Sequence, residues 1–162
     1  MRMSWRVEPP SLSEHATIEL RRITNVLQLD HASLFLRDHE QPQRATLVAA
    51  IGADLAVALP EHATIVGRVL STGRVQEVEP SANGDAIGAA LATPLEHEGE
   101  TIGALLVVSL RRNRRLGAAD TQVIGHVTEM LVDRILPVVR PSAGGSPRFA
   151  RVTPAVPARV RR

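Results

Sequence analysis

Residues 89–110 read Ala89-Ala90-Leu91-Ala92-Thr93-Pro94-Leu95-Glu96-His97-Glu98-Gly99-Glu100-Thr101-Ile102-Gly103-Ala104-Leu105-Leu106-Val107-Val108-Ser109-Leu110. Ala89–Glu96 and Thr101–Leu110 are two apolar runs of strand length, and the polar tetrad His97–Glu100 joins them as a hairpin turn. Gly99 there can supply a positive φ. Upstream, Val75–Val78 is a brief strand, followed by a loop over 79–88 that carries Pro80, Asn83 and Gly84. Before it, Ala63–Leu70 predicts a short helix closed by Ser71-Thr72-Gly73, with Gly73 at the C′ position. Ala32–Arg37 and Arg44–Ile51 predict a second antiparallel hairpin across the polar turn 38–43.

Helices flank these strands. Ser11 and Glu14 have the spacing of a capping box, and Ala16, Leu20, Ile23 and Leu27 follow at helical intervals, so a helix is expected over about 12–29. After the run Arg111-Arg112-Asn113-Arg114-Arg115, a last helix is expected over 118–136. Asp120 in its first turn suits the macrodipole, and Pro137 is expected to end it. Helix, two strands, short helix, three strands, helix is an α+β order with an antiparallel sheet.

Composition narrows the function classes. The chain has 162 residues and only 2% aromatics, so its core must be aliphatic and it lacks stacking platforms for single-stranded nucleic acid. It has no cysteine, which removes disulfides, thiolate metal sites and cysteine nucleophiles. No segment reads as a signal peptide or a membrane span, so no membrane association is expected and a cytoplasmic location is. The isoelectric point near 10.7 reflects missing lysine and tyrosine more than a basic surface. Residues 1–137 hold 13 Arg against 17 acids, whereas 138–162 hold six Arg and no acid. The expected organisation is a lead-in over 1–10, one domain over 11–137 and a disordered Pro/Gly/Arg-rich tail over 138–162.

Four segments, in this order and spacing, resemble a GAF domain across roughly residues 12–136. Asp30–Asp38 resembles the family's first strand, and Val66-Gly67-Arg68-Val69-Leu70-Ser71-Thr72-Gly73 its Gly-Arg-Val…Thr-Gly helix. Ala90–Leu95 resembles the Pro-Leu strand, and Glu98–Leu105 the Gly-x-x-Ile-Gly-x-Leu strand that follows. The resemblance implies a central antiparallel sheet of five to six strands, with the terminal helices on one face. Over the other face it implies a short helix and loops enclosing a small-molecule pocket, here bounded by 63–70 and 79–88. Fold does not choose the ligand. Bilin attachment and methionine sulfoxide reduction in such domains use cysteine, and the lysine-containing set of the cyclic-nucleotide binders has no counterpart here.

The polar residues singled out for ligand binding are Arg68, Glu79, Asn83 and Asp85, set against their plainer reading as surface helix and turn residues. A haem ligand would have to be His62, which has no supporting constellation, so no cofactor is assigned. Glu96, His97, Glu98 and Glu100 point to both sides of a ribbon and read as a solvated turn rather than a metal site. The arginine run reads as a solvated loop in preference to a phosphate patch. No Gly-x-Ser-x-Gly or His-Glu-x-x-His motif occurs, and no enzymatic activity is expected. The last helix (Val123, Ile124, Val127, Met130, Leu131, Val132, Ile135, Leu136) is apolar over more than one packing stripe, and the first helix adds Ile18, Val26 and Leu29. This surplus predicts a homodimer through the terminal helices.

The expected function is therefore a non-catalytic sensor module that binds a small molecule and signals through a separate partner protein. The alternative is a ligand-free dimerisation module whose basic tail contacts polyanions.

Overall fold

The computed structural model describes residues 12–38, 40–41, 44–52, 59–79, 88–111 and 114–139, with only the backbone described for 59–62 and 135–139. Elements run α1 (Leu12–Leu27), β1 (His31–Arg37), β2 (Ala45–Gly52), α2 (Leu59–Thr72), β3 (Gln76–Val78), β4 (Ala90–His97), β5 (Glu100–Val108) and α3 (Ala118–Val139). The five strands form one sheet in the order β2-β1-β5-β4-β3, and every pair is antiparallel. This is the α+β arrangement expected from the element order.

Alternation along the strands splits the core into two layers, because successive side chains leave opposite faces. Ala32, Leu34, Leu36, Leu91, Leu95, Leu105 and Val107 meet Ala16, Leu20 and Ile23 of α1 and Ile124, Leu131 and Val132 of α3. On the other face Ala90, Ala92, Ala104, Leu106 and Val108 meet Ile65, Val66, Val69 and Leu70 of α2. A bulge opposite Leu34/Phe35 leaves Val48 as the extra residue of β2, so Val48 and Ala49 both join the α1–α3 layer.

At the β4–β5 turn both Glu98 (φ 51) and Gly99 (φ 80) are left-handed, the geometry of a two-residue type I′ hairpin. Gly73 (φ 66) follows α2 as the predicted C′ residue, its amide donating to the Val69 carbonyl at 2.8 Å.

Several boundaries differ from expectation: α1 ends at Leu27 rather than near 29, Gln28 being left-handed (φ 50), α2 runs on to Thr72, and β5 ends at Val108 rather than Leu110. α2 begins at Leu59 rather than Ala63, because Pro60 falls in its first turn, where a missing N–H costs nothing. α3 does not stop before Pro137 but continues to Val139. A proline so near the end forfeits one backbone bond with little helix left to disrupt. Ser11 of the capping box, the lead-in and residues 140–162 lie outside the described residues.

One buried charge was not anticipated. Glu19 of α1 has no exposed surface, and its carboxylate accepts from Arg134 of α3 and from Arg22 one turn on. The pair with Arg134 joins the two terminal helices across the face that they share.

Candidate functional site

α2 lies over β3, β4 and β5. Alanines at 90, 92 and 104 let it approach, and Val66 and Val69, at 1% and 0% exposure, fill the space beneath it. Directly under α2 the described face is therefore packed. One strand beyond, on the same face of β1, the Ser33 hydroxyl is buried and has no hydrogen-bond partner among the described residues. A buried hydroxyl left unpaired costs about 1–3 kcal/mol.

Of the residues singled out in sequence, Arg68 is exposed on α2, and its carbonyl accepts from the Ser71 hydroxyl at 3.1 Å and the Thr72 hydroxyl at 2.6 Å. Glu79 follows β3, exposed, 3.9 Å from the Arg115 guanidinium. It borders a hollow of about 30 Å³ with Val78, Ala89 and Leu116, room for about one water molecule. Neither this hollow nor the larger cleft described next is lined by both Arg68 and Glu79. Asn83, Asp85 and the side chain of His62 lie outside the described residues.

The larger cleft, about 540 Å³, sits at the end of the sheet that holds the β4–β5 turn. Its lining includes Arg37, Asp38, Thr72, Glu96, Glu100 and Thr101. Arg37 donates to the Thr101 carbonyl at 3.3 Å, and the Asp38 carboxylate accepts the Glu40 amide at 2.9 Å. Sequence reading missed this cleft. It forms because the antiparallel β1–β5 pairing carries Arg37, Asp38 and the hairpin tip to one end, and no local pattern records that pairing. His97 lies 3.5 Å from Glu98 at the tip, and among the described residues no three His, Asp or Glu side chains converge to hold a metal.

The arginine run is not simply solvated. Arg114 is 20% exposed, donates to the Gln28 carbonyl at 2.8 Å, and stands 3.5 Å from Asp120. Arg115 is exposed as expected, and Arg112 and Asn113 lie outside the described residues. On the outer side of the terminal helices Ile18 (52%), Val26 (65%) and Val123 (37%) are exposed. Among the described residues no helix is long and apolar enough to cross a membrane.

Among the described residues, a five-stranded antiparallel sheet carries two terminal helices on one face and a single helix on the other, the architecture of a small α+β domain. The family model of the GAF domain matches residues 11–135, and the chain belongs to that family, whose members are generally sensor or regulatory modules. Among solved structures it is similar to the GAF domain of an Acinetobacter phosphoenolpyruvate-protein phosphotransferase, with TM-score 0.63 and 18% identity over 79% of this chain and 85% of that one. It is similar also to the second GAF domain of DevS from Mycobacterium smegmatis, with TM-score 0.61 and 13% identity over 76% and 92%. A type II free methionine-R-sulfoxide reductase from Thermoplasma acidophilum shares the fold, with TM-score 0.56 and 13% identity over 78% and 96%. No curated protein matches the chain in sequence.

Proposed function

We propose that this chain is a non-catalytic cytoplasmic regulatory domain that binds a small metabolite on the α2 face. In this reading it pairs with a second copy through α1 and α3 and signals through a separate protein. The observation that carries the ligand is the Ser33 hydroxyl, a buried polar group without a partner among the described residues, on the face where family members hold small molecules. Arg68, Glu79, Asn83 and Asp85 remain the polar residues proposed to border that ligand. The exposed Ile18, Val26 and Val123 support the pairing. A reductase role is disfavoured because the chain has no thiol.

A second reading, a ligand-free dimerisation module with the arginine-rich tail contacting polyanions, draws support from the tight seat of α2 on Ala90, Ala92 and Ala104. Native mass spectrometry of the gently purified full chain separates the two. The first reading expects a dimer with a reproducible small-molecule increment that is lost on denaturing and refolding. A clean dimer mass favours the second, and a bare monomer removes both.

A further inference from the structure

At the end of the sheet away from the β4–β5 turn, several segments are tied into one knot. The Asp30 amide donates to the Val108 carbonyl at 2.9 Å, and the Asp30 carboxylate accepts the Leu110 amide at 2.6 Å. Gln28, just past α1, holds φ 50, a conformation that is costly for a residue with a Cβ. Its own helix closes around it, the Leu29 amide donating to the Thr24 carbonyl at 2.9 Å, and two arginines brace Gln28 from outside. Its carbonyl accepts from Arg114 at 2.8 Å and its side-chain oxygen from Arg111 at 3.5 Å. Arg114 also reaches Asp120 in the first turn of α3, whose other oxygen accepts the Gly117 amide at 2.9 Å. Asp30 thus ties the start of β1 to the end of β5, while Arg111 and Arg114 reach the residue past α1 and Arg114 ties it to the first turn of α3.

Two strand-end glycines press on this knot backbone to backbone. Gly52 ends β2 on the way to α2, and a Cβ there would lie 2.0 Å from the Asp30 carbonyl oxygen. Gly88 leads into β4, and a Cβ there would lie 1.6 Å from the Ser109 carbonyl oxygen. No side chain cushions either contact, so a shift of Gly52 or Gly88 has to move Asp30 or Ser109 with it.

We propose that Gln28, Asp30 and Arg114 form a latch that passes displacement of Gly52 and Gly88 to the adjoining ends of α1 and α3. This rests on the regulatory reading above, for which it supplies the route from the α2 side of the molecule to the terminal helices. While Arg114 is engaged it braces the cap of α1, and once Arg114 lets go only the Leu29–Thr24 bond holds the left-handed residue.

The test is a double-substitution cycle read by amide hydrogen exchange on the full chain without any ligand. The reporters are the Leu29 amide, bonded to the Thr24 carbonyl at the end of α1, and the Thr121 amide, bonded to the Gly117 carbonyl at the start of α3. Gly88→Ala is expected to speed both roughly tenfold, the scale of losing one charge-assisted hydrogen bond, with β4–β5 hairpin amides unchanged. Arg114→Ala is expected to do the same, and Gly88→Ala with Arg114→Ala to be no faster than Arg114→Ala alone. The latch is overturned if Gly88→Ala leaves both reporters at their wild-type rates, if the two effects multiply, or if the whole sheet speeds equally. Should Gly88→Ala fail to fold, Asp30→Asn replaces it with the same expectations, because it keeps the shape and weakens the acceptor for Leu110. A measured coupling with no ligand found by mass would sink the sensor reading alone, and a ligand found without coupling would sink the latch alone.

Discussion

Glu19 sits midway along α1 with its carboxylate closed off from water, and its stability depends on the two arginines unequally. Arg134 reaches it from α3 and is the more buried of the two, whereas the Arg22 side chain is 59% exposed. Arg134→Ala is expected to lower the unfolding free energy by about 1.5–3 kcal/mol, because it leaves the buried carboxylate only the longer contact with exposed Arg22. Arg22→Ala is expected to cost no more than about 0.5–1 kcal/mol, as for an exposed pair. Urea unfolding midpoints measure both, and equal losses would contradict this ranking. None of this was legible in the sequence. Glu19 is next to Leu20, at the edge of the apolar stripe, and its partner lies 115 positions away. Gly73 shows the opposite case: Thr-Gly after an apolar helical run has a local cause and a local reading.

Helices and strands were read where their period is strong. All eight elements appear in the expected order, and the two largest boundary shifts lie at prolines, whose effect depends on where in a helix they fall. Pro60 opens α2, and Pro137 is carried inside the last turn of α3. Each terminal helix has a packed stripe, and α1 also exposes Ile18 and Val26 and α3 Val123, the basis for the self-association proposed above. Ile18→Glu together with Val26→Glu is expected to change stability by no more than about 0.5 kcal/mol per site, as for other surface substitutions. It is expected to convert a dimer to a monomer in light scattering coupled to size exclusion. Retention of the dimer by a folded variant would place the interface elsewhere.

Over the whole molecule, the sheet's two faces are asymmetric in side-chain size. Leucines and valines meet α1 and α3, while three alanines form most of the floor for α2. Ala104→Leu is therefore expected to overpack that seat and cost about 1–3 kcal/mol, measurable by thermal melting, whereas an open cavity there would absorb the added volume. The alternation of alanine and leucine in β4 was visible in the sequence, but whether the small residues line an opening or a close contact depends on where α2 sits. The cleft at the hairpin end was hidden for the same reason, since it depends on which strands become neighbours. The pairing of β1 with β5 matters in time as well. His31 meets Val108, and Leu36 meets Gly103. During synthesis the central ladder cannot close until residues near 108 have left the ribosome, so α1 and the first hairpin wait with an apolar face uncovered. Such long-range closure places the chain among slower folders, on the scale of milliseconds to seconds. A chain interrupted before β5 would keep the edge of β1 open to other strands.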